Sequence, residues 1–408
     1  MNTASVQNTS KQPSVGITLL AGLPLFTLLP LGLDFFLPAM YQIGEYFNNA
    51  SIPPLAISVY MLFWGIGQLV WGGIADVIGK KKIAIIGLVV YTMASLMIAI
   101  VDSESAFAFL FYRALQSFGG SACFTAIFAL IRTRFDGEEL NKSYSYLNGI
   151  LAFIPVSAPL LGAYILENNP WLYLFTLMAI LGLVSLIWIA FSLPADGKKL
   201  GSQQNKESSN SAIKGYWEVL KNVRFRSYLF FAATGQMLFI YYLTVAPTYL
   251  IGKLGTSQVE FGQMFMIIAV VFMVISFAAP KLSSYLTIRT IIGLALSLII
   301  VGGCTMYAMS GTNTWYAFIG PMTPIAVGCT ILLSCCPANA LADFKHISGI
   351  ASGLYTSITF GVGSLISSVF VNVIDSADLA RVSLVYVVCA MLALLLLLTN
   401  TTVNSDSQ

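Results

Sequence analysis

Apolar residues run along this chain in long uninterrupted stretches separated by short polar turns, and stretches of such length are read as helices that cross a bilayer. The pattern predicts spans at 17–38, 54–72, 83–101, 106–131, 143–166 and 171–193, then at 225–250, 259–280, 288–309, 315–336, 347–374 and 379–399. A transmembrane β-barrel would need short alternating segments, and these runs are continuous. The expected fold is therefore an all-α integral membrane protein with twelve helices, six on each side of one polar gap.

The gap, 194–224, carries Ser202, Ser208, Ser209, Asn210 and Ser211 among scattered lysines and reads as a flexible cytoplasmic linker. It separates a bundle at 17–193 from a bundle at 225–399, with polar tails at 1–16 and 400–408. The first apolar run is longer than a signal-peptide core and is followed by no convincing small-residue cleavage site, so it is expected to remain as the first span.

Composition supports the membrane reading, because 57% of the 408 residues are hydrophobic and only 9% are charged. The basic residues set the orientation. If the N-terminus is cytoplasmic, Lys80, Lys81, Lys82, Arg132, Arg134, Lys142 and the linker lysines share its side, and only Lys253 and Arg381 fall opposite. Both termini are then cytoplasmic. The net charge of +3 follows from this topology and does not point to nucleic acid. The six cysteines lie inside spans without metal-ligand spacing, and His346, the only histidine, sits at a cytoplasmic turn, so no metal site is expected.

Two charges remain inside the apolar runs: Asp34 in the first and Arg113 in the fourth. Ionisable residues there are costly and mark function by default. A lone buried carboxylate suits proton coupling, since either a proton or a cationic compound neutralises it. Each has a structural alternative: Asp34 as a helix-end residue near the outer headgroups, Arg113 as a snorkelling or bundle-holding cation. Candidate cavity walls are Phe35, Tyr60, Gln116, Asn148, Phe153, Gln236, Tyr241 and Tyr355, which offer apolar area with sparse polar handles.

Several stretches carry a family resemblance. The loop Gly72-Gly73-Ile74-Ala75-Asp76-Val77-Ile78-Gly79-Lys80-Lys81-Lys82 resembles the Gly-x-x-x-Asp-x-x-Gly-x-(Arg/Lys) signature of the major facilitator superfamily, with Val77 in place of its usual Arg. Arg113 and Gln116 stand as in the superfamily's fourth-helix motif, with Ser117 where Gly is usual. Pro155, Ala158-Pro159 and Gly162 resemble the Gly-Pro-x-x-Gly motif of its antiporters. Asp34-Phe35-Phe36-Leu37-Pro38-Ala39, Ala246-Pro247 and Pro337 to Phe344 are similar to the bicyclomycin and chloramphenicol resistance branch.

The resemblance implies the major facilitator fold, two pseudo-symmetric six-helix bundles that alternate access to a midplane site, in a monomer of the bacterial inner membrane. It implies a proton-coupled antiporter exporting small amphipathic drugs. Asp34 and Arg113 would carry the coupling, and Gly72, Asp76, Gly79, Lys81, Pro155, Pro159 and Gly162 the gating. A dedicated exporter of an endogenous metabolite or siderophore is the alternative. The partners are small-molecule substrate, protons and lipid, with the proton gradient as energy source and no cofactor; no Gly-x-x-x-x-Gly-Lys-(Ser/Thr) loop exists for ATP. Paired acids, a Ser/His set or a metal cluster that would suggest an enzyme are not found.

Overall fold

The computed structural model describes residues 15–100, 105–135, 137–192, 209–282, 285–344 and 347–399. Among these residues there is no β-strand. The first bundle contains α1 (Val15–Asp34), α2 (Met40–Tyr46), α3 (Ile52–Ile78), α4 (Lys80–Ile100), α5 (Ala106–Arg134), α6 (Gly137–Leu166) and α7 (Leu172–Ser192). After α8 (Ser209–Lys221), the second bundle contains α9 (Val223–Pro247), α10 (Gln258–Leu282), α11 (Ile288–Met309), α12 (Tyr316–Ala340), α13 (Ser348–Ser357), α14 (Gly363–Val373) and α15 (Leu379–Thr399). Eleven membrane-length apolar helical segments are present among the described residues, and α6 completes the expected set with its apolar part at Phe153–Leu166.

Helix starts follow local chemistry. Ser257 and Glu260 form a capping box for α10, Ser257 N donating to Glu260 Oε2 at 2.8 Å and Glu260 N to Ser257 Oγ at 3.2 Å. Asn222 Oδ1 accepts from Phe225 N at 2.9 Å to start α9, and Ser105 Oγ accepts from Ala108 N at 3.3 Å to start α5. Gly79 ends α3 with φ of +93°, a conformation that favours glycine.

Three expected boundaries are corrected. The first span does not end at 38; it breaks after Asp34 and resumes through Leu37–Ala39 and α2, so the apolar helical path reaches Tyr46. Pro38 is the cause, since it has no N–H for the Asp34 carbonyl and its ring clashes with that carbonyl. The fifth helix begins at Gly137 rather than 143, extending through a polar turn that an apolar run cannot register. Within 194–224, the described part is ordered as α8, whose Gly215 lies against Ile350 of α13 and whose Lys221 stands 5.3 Å from the Trp217 ring.

Inside the first bundle α4 packs on α5 and α7, and α3 on α5; inside the second, α11 packs on α12 and α15, and α12 on α9 and α10. A Cβ placed on Gly87 of α4 would stand 2.6 Å from the Gly119 carbonyl oxygen of α5, so these helices meet backbone to backbone. The bundles meet along two seams, α6 with α10 and α3 with α13 and α14.

Candidate functional site

The break in the first span generates the site. Ahead of Pro38 the chain cannot continue as α-helix, and Phe36 N turns to Leu33 O at 3.3 Å, so the Gly32 carbonyl lacks its usual helical donor. Arg113 of α5 supplies one: its Nη1 donates to Gly32 O at 3.0 Å and to Gln116 Oε1 at 2.6 Å. A cation at the carboxyl end of a helix is also favoured by the macrodipole. Gln116 Nε2 donates in turn to Ser95 Oγ at 2.7 Å and approaches Met178 Sδ at 3.4 Å, and Ser95 Oγ donates to Tyr91 O at 2.8 Å.

Aromatic faces hold the guanidinium. Its carbon lies 4.3 Å from the centre of the Tyr60 ring, 4.5 Å from that of Phe36 and 5.6 Å from that of Phe175. The Tyr60 hydroxyl donates to Leu29 O at 2.8 Å and the Tyr91 hydroxyl to Leu28 O at 3.2 Å, fastening the last turns of α1. A side chain at Gly32 would strike the Tyr60 hydroxyl. Arg113 is fully buried, and its Nε and Nη2 have no hydrogen-bond partner among the described residues.

Asp34 is 5% exposed and stands at the terminus of α1, two residues beyond the carbonyl that Arg113 caps. It forms neither an ion pair nor a side-chain hydrogen bond with Arg113 among the described contacts. Along the sequence it falls near the middle of the apolar Thr18–Tyr46 path, which continues past it. The arrangement is thus an unpaired buried acid two residues beyond a helix-end carbonyl that is held by a cation with donors to spare.

The antiporter-like motif packs on the same break. A Cβ on Gly162 of α6 would lie 2.8 Å from Phe35 O and 3.2 Å from the Pro38 ring. On another face of α6, Leu160 and Ala163 meet Gly262 of α10, where an added Cβ would stand 3.0 Å from Leu160 Cα. Pro155 and Pro159 lie within the continuous α6. This helix is therefore wedged between the broken span and the opposite bundle.

The other expected residues are distributed as follows. Phe35, Tyr60 and Gln116 are buried around Arg113 and the break, whereas Phe153 on α6 is 60% exposed. Gln236, Tyr241 and Tyr355 are buried in the second bundle, with Tyr241 5.5 Å from the Tyr386 ring and Tyr355 6.4 Å from that of Phe225. Lys81 Nζ donates to Ala190 O at 2.8 Å and so caps the end of α7. Gly72 is exposed with nothing near it, and the side chains of Asp76 and Asn148 lie outside the described residues. Gly32, Phe36, Tyr91, Ser95 and Phe175 belong to the site without having been singled out from the sequence. Gly32 carried a usable signal, a glycine inside a helix two residues before the buried acid.

Known proteins give a consistent context. The family model described as the Major Facilitator Superfamily matches residues 23–368. The chain is 30% identical over 355 residues to the multidrug resistance protein MdtL of Salmonella typhi, covering 86% of this chain and 85% of that one. It is 30% identical over 367 residues to a chloramphenicol resistance protein of Pseudomonas aeruginosa, covering 86% and 83%. Among solved structures, the D-xylose-proton symporter superposes with a TM-score of 0.73 at 15% identity, covering 93% of this chain and 96% of that one. The nucleoside transporter NupG superposes with a TM-score of 0.71 at 15% identity, covering 93% and 99%. At such identities the two structures speak for the fold alone.

Proposed function

The chain belongs to the major facilitator superfamily, a family of transporters and not of enzymes, and from that premise we propose a proton-coupled antiporter that exports small amphipathic drugs. The substrates are of the chloramphenicol or bicyclomycin kind, taken from the cytoplasm and released by alternating access. The observation that carries the reading is the buried, unpaired carboxylate of Asp34 at the break of the first span, two residues beyond the carbonyl that Arg113 holds. The resistance proteins among its relatives support drugs over an endogenous metabolite as cargo.

In the proposed cycle a proton taken up from outside neutralises Asp34, and its departure inside leaves a charge that the free Arg113 donors can meet. Gly162 keeps α6 against the break, so a change in the geometry of residues 35–38 is felt at the α6–α10 seam. In this reading the protein works as a monomer in a bacterial inner membrane, and the excess of basic residues on one side supports cytoplasmic termini.

The test uses purified protein in liposomes carrying an internal pH dye. Addition of chloramphenicol against an imposed proton gradient should cause proton movement opposite in direction to drug movement. Drug movement with no proton movement would leave a facilitator and overturn the antiport reading.

A further inference from the structure

We propose that Tyr60 is a positioning residue that passes the state of the Asp34–Arg113 site to the seam between the two bundles; the inference rests on the proton-coupled reading above. Tyr60 touches both sides of the site at once. Its ring is one wall of the Arg113 cage and its hydroxyl holds Leu29 O of α1, while its own carbonyl accepts from Ser117 Oγ of α5. The titratable groups within electrostatic reach of its hydroxyl are Asp34 on α1, Tyr91 on α4, and Arg113 and Cys123 on α5.

The opposite face of α3 is locked to the other bundle. Ser58 lies two residues before Tyr60, about 200° around the helix at 100° per residue. Ser58 Oγ donates to Ser364 O at 3.0 Å, and Ser364 Oγ, whose nearer acceptor is Gly361 O at 2.9 Å, also lies 3.4 Å from Ser58 O. Seven residues along α3, Gly65 O accepts from Ser357 Oγ at 2.6 Å, and Ser357 is seven residues before Ser364. A Cβ on Gly65 would lie 2.9 Å from Ser357 Cα, and one on Gly353 would lie 3.2 Å from Leu69 Cδ2. All three contacts keep one antiparallel register, and the Trp64 and Phe360 rings stack between them at 5.3 Å.

The partner strand of this seam is not a plain α-helix. Residues Ile358–Val362 form a π-helical turn between the two serines. Such turns are rare, are under-wound relative to the α-helix, and are found frequently at functional sites. A rigid helix gripped by the proton site on one face, and by a yielding helix of the other bundle on the opposite face, has the form of a transmission element. When Asp34 gains or loses charge, Arg113 changes partners, the Tyr60 ring loses its support, and α3 turns against the serine seam.

The test measures the distance between the two bundles at their outer ends. Spin labels are placed at Asn49→Cys and Gly311→Cys in a background without the native cysteines, in nanodiscs, at low and high pH. The unsubstituted Tyr60 protein should change distance with pH. Tyr60→Phe keeps the ring on Arg113 and the packing but should lose the pH-dependent change, and Ser58→Ala should lose it too although it leaves the Arg113 cage untouched. Tyr242→Phe removes another buried hydroxyl and should respond like the parent. A Tyr60→Phe protein that responds as the parent does overturns this inference alone. A parent that does not respond to pH overturns the proton-coupled reading and this inference with it.

Discussion

Arg113 caps Gly32: a guanidinium from α5 donates at 3.0 Å to a carbonyl that the Pro38 break leaves without its helical donor. The contact joins a cation to a helix end two residues before the buried acid. It makes the roles of Asp34 and Arg113 separable by substitution, because only one of them is engaged in structural bonds.

Arg113→Ala is expected to damage the protein more than Arg113→Lys. Alanine leaves Gly32 O and Gln116 Oε1 buried without a donor, at about 1–3 kcal/mol for each. Lysine keeps the charge and one contact but loses the flat face that Tyr60 and Phe36 cover. Thermal unfolding in detergent and transport in liposomes should both rank parent, Lys and Ala in that order; equal losses in Lys and Ala would remove the case for charge.

Asp34→Asn should abolish proton-coupled export and leave the fold intact. The carboxylate makes no described hydrogen bond or ion pair, so the change in stability is expected within ~1 kcal/mol. Gradient-driven export by the purified variant at the parent's rate would refute the role given to this acid.

Gly162→Ala should slow transport and destabilise by about 1–3 kcal/mol through overpacking. The new methyl would press on the Phe35 carbonyl, which is backbone and yields less readily than a side chain. Gly72→Ala is the comparison, since nothing lies near that position and no packing cost is expected. The two variants should therefore separate in unfolding temperature.

Cysteines introduced at Asn49 and Lys221, both exposed, report the orientation. In intact cells an impermeant maleimide should label Asn49→Cys and spare Lys221→Cys. The opposite pattern would invert the topology and the direction assigned to the proton.

The helices were legible in the sequence because lipid demands long apolar runs, and most predicted spans differ from the observed helices only at their ends. Asp34 and Arg113 stood out for the same reason, as charges where lipid is expected. Pro38 was visible but was read as the end of a span. The apolar run does end there, since Gln42, Gly44 and Glu45 dilute it, yet Met40 and Ile43 are buried and carry the helix on. The extra turn of α6 and the order of α8 escaped because polar helices outside the bilayer leave no apolar signature. The company kept by Arg113 was not legible at all: Tyr60, Ser95 and Phe175 come from three other helices, and no periodicity within one helix encodes its distance to another. Tyr60 appeared only as an aromatic candidate, and packing gives it a fully buried place under the guanidinium.

The serine seam has a consequence for how the two bundles can part. At Gly65 and Ser357 the two backbones are in contact, and the Gly65 carbonyl accepts from the Ser357 hydroxyl of the facing helix. A side chain larger than hydrogen has no room at Gly65, so α3 and α13 stand there at the shortest separation two helices can take. Any parting of the bundles along this edge has to begin by breaking that backbone contact.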